Sequence, residues 1–321
     1  MNTMLLLVRR EFWEHRSLWL APLVWVGLII VMSMWGTILT FTHDAPFSVG
    51  HYSSVEAIPH LGTEERARLS QAMMLSEDRK ATMHAVAQFA LAGMISALVL
   101  IVVFFYLIDC LYAERRDRSI LLWKSMPISD AQVVLSKVAV ALLIMPLGVL
   151  LLAAVTHVIV SGIFWIRFDG TVLGNIVGGW SFEGWFRALW ASLLITVGGV
   201  LWYVPVAGYL LLVSVWARRA VFLWAVLPPA ALMLLEKMFL HSEHVAEFVG
   251  RRLMGFVEEM DLRSGSFTHS PGDVQMPTIG EAYDAFSISG LFTHPELWVG
   301  LLAGAVLIAV TIRIRRYRDD S

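Results

Sequence analysis

The stretch from Asp109 to Lys137, DCLYAERRDRSILLWKSMPISDAQVVLSK, decides how this chain is organised. It lies between two long apolar runs and carries a dense mixture of acidic and basic residues. Within it, Ser119 to Met126 is short and amphipathic, and Pro127 follows. Because the residue before a proline is driven out of helical geometry, we predict a short helix that ends near Met126. Ser129 is a good N-cap, so a second helix is predicted to begin there and to continue into the next apolar run.

This charged segment has two interpretations. In the first, it is a docking element that lies at the membrane surface and offers its short helix to a soluble partner. In the second, it is a solvated loop that follows the general charge rules of membrane proteins. Composition alone does not distinguish them.

The composition of the chain indicates an all-α polytopic membrane protein. Of its 321 residues, 58% are hydrophobic and only 16% are charged, and the mean hydropathy is +0.69. Soluble domains carry about a quarter charged residues. The net charge of −2 gives no basic field that would indicate nucleic-acid binding. The single cysteine, Cys110, allows no internal disulfide.

Six apolar stretches account for the membrane-embedded part of one transmembrane domain that covers residues 1–321. About 20 apolar residues suffice to cross a bilayer, and the last stretch is short by this measure. Residues 42–83 and 241–296 are predicted to lie on the outer side, and 110–137 on the cytoplasmic side. The predicted spans are 18–41, 84–109, 138–163, 188–216, 220–240 and 297–312.

The basic residues predict the orientation. Loops on the cytoplasmic side of a membrane protein carry an excess of lysine and arginine. With both termini inside, more than half of the 24 basic residues fall on the cytoplasmic side. They are Arg9, Arg10, Arg16, Arg115, Arg116, Arg118, Lys124, Lys137, Arg218, Arg219, Arg313, Arg315, Arg316 and Arg318.

The first 17 residues are predicted to form an interfacial amphipathic helix. Phe12 and Trp13 share an apolar side with two leucines, whereas Arg9 and Arg10 lie elsewhere on the helix. The alternative is a basic flank that precedes a signal anchor.

The apolar runs contain breakers that predict bending. Pro146 is expected to kink or loosen the third span, and Pro205 interrupts the fourth. Pro228 and Pro229 together remove two backbone donors, so we expect local unwinding in the fifth span. By contrast, no glycine or proline occurs between Thr63 and Gly93, which predicts one helix that begins outside the bilayer and continues into the second span.

Motifs for catalysis and metal binding are absent from the sequence. There is no G-x-x-x-x-G-K-[ST], so no phosphate-binding loop of this type is expected in the chain. His241 and His244 stand near two glutamates, but two ligands on an exposed helix are typical of a solvated helix start. We therefore predict no catalytic residue and no metal site.

Few polar residues fall at membrane depth within the predicted spans. Glu236 lies near the outer end of the fifth span, where a short acidic side chain is expected to face either a cavity or a partner helix. Its neighbour Lys237 is expected to reach the interface or to pair with an outer loop. His157, in the third span, is expected to form an interhelical hydrogen bond rather than to relay protons.

Three stretches resemble the permeases of bacterial ABC transporters of the ABC-2-like exporter class. The first is YAERRDRSILLWKSMPISDAQVVLSK, from Tyr112 to Lys137. The second and third are RREFWEHRSLWLAPL, from Arg9 to Leu23, and HPELWVGLLAGAVLIAVTIRIRRYRDD, from His294 to Asp320. The outer region 241–296 shows no such resemblance.

The resemblance implies the permease subunit of an ATP-driven exporter in the bacterial inner membrane. It implies two permease chains, expected to be identical, that form the substrate pathway. It also implies two separate ABC ATPase subunits that bind ATP and Mg. The chain itself would hold no cofactor and would not be an enzyme. Residues 1–17 would be a connecting helix, and 110–137 would contain the coupling helix. The docking residues so implied are Glu114, Arg115, Arg116, Asp117, Arg118, Ser119, Leu122, Trp123, Lys124 and Met126.

Two other functions stay open from the residues alone. An ion-coupled secondary transporter would need a set of carboxylates within the spans, of which only Glu236 is present. A membrane scaffold that docks an ATPase without transport is the second alternative. The sequence does not name the substrate, and it does not decide between identical and different permease chains.

Overall fold

The structure is a computed structural model that describes residues 3–42, 52–58, 62–74, 77–117, 119, 128–239, 241–256 and 292–317. Every regular element in these ranges is helical. Six helices are long and apolar enough to cross a membrane, as the sequence predicts. The fold is therefore that of an all-α polytopic membrane protein.

The described α-helices are numbered in the order of the chain. The helices are α1 (Thr3–Glu14), α2 (Ser17–Thr42), α3 (Thr63–Met73), α4 (Glu77–Arg116), α5 (Asp130–Ala139), α6 (Met145–Phe168), α7 (Val172–Val177), α8 (Phe182–Trp216), α9 (Val221–Phe239), α10 (His244–Met254) and α11 (Pro295–Tyr317). A π-helical segment, Val140–Ile144, joins α5 to α6 without a break, so the two form one span.

Helix α8 is the centre of the bundle. It packs most extensively against α11 and α4, while α2 packs against α4 and α6. The contact with α11 is close, because a Cβ atom on Gly208 would lie 3.0 Å from the carbonyl oxygen of Gly304. Fully buried apolar side chains such as Leu18, Ile95 and Leu211 form the main core between these helices.

The observed helices extend beyond the predicted spans at several ends. Helix α4 begins at Glu77 and ends at Arg116, whereas the predicted span covers 84–109. Hydropathy locates only the apolar part of a helix, and polar residues continue the same hydrogen-bonded ladder into water. The predicted single helix from Thr63 into the second span is wrong, because α3 ends at Met73 and α4 starts anew at Glu77.

The prolines affect the helices in different ways. The π-helical segment lies directly before Pro146, and the amide of Met145 bonds to the carbonyl of Val140 there. By contrast, α8 continues through Pro205, and α9 continues through Pro228 and Pro229. The local unwinding that we predicted at the proline pair is therefore absent.

The start of α5 agrees with the predicted N-cap. The hydroxyl of Ser129 accepts a hydrogen bond from the backbone of Gln132, and the side chain of Gln132 accepts one from the backbone of Ser129. This reciprocal capping box fixes the point at which the chain re-enters a helix. The predicted short helix of Ser119–Met126 lies outside the described residues except for Ser119.

Candidate functional site: a buried ion network

A buried ion network lies at one end of the bundle, and Lys137 is at its centre. The ammonium of Lys137 is 2.7 Å from a carboxylate oxygen of Glu11 and 3.0 Å from one of Glu114. Lys137 has no solvent-exposed surface, and both carboxylates are buried. We call this end of the bundle the basic end, because helices α4 and α11 both end there in turns that carry arginines.

Arg315 joins the last helix to the same network. Its guanidinium lies 2.5 Å from Glu114 and 3.1 Å from Asp130. Only 2% of the Arg315 side chain is exposed, whereas 26% of Asp130 is. Glu114 therefore bridges two buried cations, Lys137 and Arg315.

The first helix enters the network through Glu11. The hydroxyl of Tyr106 donates to the second oxygen of Glu11 at 2.9 Å. The ring of His15 packs edge-on against Tyr106, with 5.0 Å between the ring centroids. Arg10 lies at the border, 2.5 Å from Glu14 and 3.8 Å from Glu114. Helix α1 is thus attached to the bundle by hydrogen bonds and ion pairs as well as by apolar contacts.

Helical spacing brings these side chains together. Asp130 and Lys137 are seven residues apart on α5, which places them on one face of the helix. Leu7 and Glu11 share the buried face of α1 in the same way. The capping box at Ser129 fixes the start of α5, so it also fixes the direction in which Lys137 points.

The network is close to electrically balanced. The two fully buried cations, Lys137 and Arg315, face the two buried carboxylates, Glu11 and Glu114. Transfer of a charged group from water into a protein interior costs roughly several kcal/mol of free energy. Ion pairing and hydrogen bonds within the network offset this cost. At the edge of the network, burial lowers the pKa of His15, and the nearby carboxylate of Glu11 opposes that shift.

The network connects both ends of the charged segment that follows α4. Glu114 lies in the last turn of α4, and Asp130 and Lys137 lie on α5, so the two helices that flank residues 118–127 are tied to each other. The same atoms tie them to α1 and to α11. A displacement of this segment therefore acts on four helices through buried polar contacts.

The predicted docking residues separate into different environments. Glu114 is buried, and Arg115 donates to the backbone carbonyls of Ser214 and Ala217 at 2.8 and 2.7 Å. These two residues hold the bundle together, and burial removes Glu114 from the docking surface that we predicted. Arg116 and Asp117 pair with each other at 3.0 Å and are exposed.

The remaining docking residues can be placed only in part. The hydroxyl of Ser119 lies 3.3 Å from the carbonyl oxygen of Glu114, to which it donates. The other five lie outside the described residues. They are Arg118, Leu122, Trp123, Lys124 and Met126.

The apolar residues of the predicted interfacial helix lie in two environments. Trp13 is exposed, as are Leu5 and Leu6, whereas Phe12 packs against the core. The buried face carries Glu11, which the sequence analysis did not single out. Arg9 is exposed, and Arg10 pairs with Glu14.

The carboxylate of Glu236 caps the helix that follows it, α10. Its carboxylate accepts hydrogen bonds from the backbone amides of His244 and Val245, at 2.9 and 2.6 Å, and from the hydroxyl of Ser242 at 2.8 Å. It therefore satisfies the first amides of α10, as a carboxylate does at a helix N-terminus. Lys237 pairs with Glu243, in the outer segment, at 2.9 Å.

The predicted interhelical hydrogen bond of His157 is not present among the described residues. Both of its ring nitrogens are buried, and neither has a hydrogen-bond partner in the described part of the chain. Instead, its ring packs edge-on against His84 of α4, with 5.8 Å between centroids. The described residues contain no group of three or more potential metal ligands.

Sequence reasoning missed most of the network. Lys137 and Arg315 were counted as surface bases, and Glu11 and Asp130 received no role. One signal could have found them: each lies on the side of its helix that also carries buried apolar residues, such as Leu7 for Glu11 and Val134 for Lys137.

Comparison with known proteins addresses the same region of the chain. Residues 81–182 match the family model described as ABC-2 family transporter protein. The match supports an ABC-2 type permease. It covers about a third of the chain, and within it lie Glu114, Asp130 and Lys137, whereas Glu11 and Arg315 lie outside. No curated protein matches the chain, and no solved structure does.

Proposed function

We propose that this permease is the membrane subunit of an ATP-driven exporter, and that it receives the work of ATP hydrolysis through residues 110–137. ABC-2 permeases are membrane components without catalytic activity of their own and work with ABC ATPases. The observation that carries the proposal is the buried ion network, which ties both flanks of residues 118–127 to α1 and α11. A docked ATPase that moved this segment would move all four helices.

The docking surface consists of the part of this segment that remains free for contact. Arg116 and Asp117 are exposed, and Arg118, Trp123 and Lys124 follow them in the sequence. The indole of Trp123 would fill a cleft of the ATPase, and the basic residues would pair with its acidic rim. Glu114 and Arg115 would act behind this surface by holding α4 to α11 and α8.

The complex would contain two permease chains and two ATPase subunits. ATP and Mg would be bound by the ATPases. Apolar surface supports such an assembly, because every span carries apolar side chains that are exposed in a single chain and need lipid or a second chain to cover them. The permease would lie in the bacterial inner membrane with its basic end and both termini in the cytoplasm.

An ion-coupled transporter gains no support from the described residues. Its single acidic candidate within the spans, Glu236, is engaged by the amides of α10. A scaffold that docks an ATPase without transport would have the same docking surface. It would differ from an exporter because no substrate would stimulate its ATP hydrolysis.

The experiment is an affinity purification of the native permease in mild detergent, with assay of ATP hydrolysis by the proteins that co-purify. A stoichiometric ATPase is expected, and Trp123→Ala with Arg118→Glu should release it. Trp180→Ala, which alters an exposed tryptophan in the loop before α8, is the matched control and should retain it. A permease that purifies alone under all detergent conditions would overturn the proposal.

A further inference from the structure

Two consecutive prolines leave two backbone carbonyls of α9 without their usual donors. Proline has no N–H, so Pro228 cannot bond to the carbonyl of Trp224, and Pro229 cannot bond to that of Ala225. An unpaired carbonyl is costly in a membrane-embedded helix, where water is not available to replace the lost donor. Nevertheless, α9 remains helical through both prolines.

Tyr209 of the neighbouring helix α8 supplies the missing donor. Its hydroxyl oxygen lies 3.3 Å from the carbonyl oxygen of Trp224 and 3.1 Å from that of Ala225. These are the same two carbonyls that the proline pair deprives of a donor. A hydroxyl has one proton, so Tyr209 can donate fully to only one of them at a time.

We infer that Tyr209 and the pair Pro228–Pro229 form a hinge in α9. The O–H group of Tyr209 can turn from one carbonyl to the other, and the helix bends where a carbonyl lacks a donor. Tyr209 is thus a positioning residue, which sets the bend of α9 without contacting a substrate.

The surroundings of the hinge define what stays fixed and what moves. Before the prolines, the ring of Trp224 packs edge-on against Trp216, with 4.8 Å between centroids, and Phe222 stacks on Phe105. After the prolines, Glu236 caps the N-terminus of α10. Bending at the hinge would therefore move the second half of α9 and act on α10, which is also bonded to α8 through Tyr203, while the first half of α9 stays packed on α4 and α8.

The hinge is inferred only from the hydrogen bonds between Tyr209 and the carbonyls of α9. Its use in a transport cycle rests on the proposed function. Hydrogen exchange of the amides of α9 tests the hinge in the purified permease in lipid nanodiscs, without ATP and without an ATPase. A failure of this test and a failure of the proposed function are therefore distinguishable.

The test compares the effect of Tyr209→Phe on hydrogen exchange in chains with and without the two prolines. Tyr209→Phe removes the hydroxyl and is expected to speed the exchange of α9 amides roughly tenfold, as the loss of one hydrogen bond allows. In a chain with Pro228→Ala and Pro229→Ala, the restored backbone amides serve both carbonyls, so Tyr209→Phe should have no effect on exchange. Either single proline replacement should retain part of the effect, because one carbonyl still depends on Tyr209.

Tyr203→Phe is the matched control on the same helix. Its hydroxyl donates to the carbonyl of Leu253 in α10 at 2.8 Å, so its effect should be the same with and without the prolines. Equal effects of Tyr209→Phe in both proline backgrounds, or unchanged exchange of α9 after Tyr209→Phe, would overturn the hinge.

Discussion

The ammonium of Lys137 lies 2.7 Å from the carboxylate of Glu11, although 126 residues separate them in the sequence. This pair joins the predicted interfacial helix to the helix that follows the coupling segment. Since Lys137 also contacts Glu114 at 3.0 Å, the loss of its charge would leave two carboxylates near one another in a buried site. The Lys137–Glu11 pair is therefore a structural link between the surface of the bundle and its core.

Replacement of Lys137 should destabilise the permease strongly. Lys137→Met leaves Glu11 without its cation, and removal of one partner from a buried ion pair costs about 3–5 kcal/mol. We expect a clear fall in the melting temperature measured by fluorescence-detected size exclusion. Addition of Glu11→Gln should recover part of the loss, because it removes the uncompensated charge.

The control for this prediction is the exposed pair of Lys237 and Glu243. Lys237→Met should change the stability by no more than about 1 kcal/mol, as exposed ion pairs contribute little. Equal effects of Lys137→Met and Lys237→Met on the melting temperature would contradict the assignment of Lys137 to a buried network.

Glu236→Ala should loosen α10. The carboxylate accepts hydrogen bonds from two backbone amides at the start of this helix, and loss of a capping side chain costs about 0.5–2 kcal/mol. Amides of 244–254 should then exchange faster with deuterium, while the amides of α4 should not change. Glu243→Ala is the matched control because it removes an exposed carboxylate next to the same helix, and an equal effect on exchange would refute the capping role.

Acidification should weaken the packing around His15. Burial lowers the pKa of His15 below its ordinary value of 6.5. Between the lowered pKa and 6.5, the unfolded chain binds the proton more readily than the folded chain, so stability falls as the pH falls through this window. The melting temperature of the wild type should therefore fall between pH 7.5 and pH 5.5 by more than that of His15→Asn.

His241→Asn, at an exposed position, is the control for this pH dependence and should behave as the wild type does. If His15→Asn and the wild type lose the same stability on acidification, the neutral buried state of His15 is refuted.

The sequence predicts the six spans and the N-cap at Ser129 because both depend on local patterns. A run of apolar residues identifies a membrane helix, and a serine followed by a helix-forming stretch identifies its start. The buried ion network depends instead on tertiary contacts between Glu11, Lys137 and Arg315, which lie far apart in the chain. Charge alone indicates a loop exposed to water, so Lys137 and Arg315 were assigned to the surface.

The helix-capping role of Glu236 was missed for a related reason. A carboxylate near the end of a span is compatible with a cavity, a partner helix or a cap, and only the three-dimensional arrangement shows that the amides of His244 and Val245 meet it. The donation from Tyr209 to the carbonyls of α9 is likewise a contact between two helices. It explains why α9 stays helical where its prolines predicted unwinding.

The central claim is that the buried network passes movement from residues 110–137 to α11. The most direct test uses the permease with its co-purified ATPase, Cys110→Ser, and a cysteine in place of the exposed Phe292 near the start of α11. The rate at which a maleimide labels this cysteine is compared with and without ATP. Arg315→Met breaks the network, and Arg316→Met is the control because Arg316 is exposed on the same turn of α11.

We expect ATP to change the labelling rate in the chain with Arg316→Met but not in the chain with Arg315→Met, although both retain the ATPase in equal amount. The same response to ATP in both chains would contradict the central claim, because α11 would then move without the ion pairs between Arg315, Glu114 and Asp130.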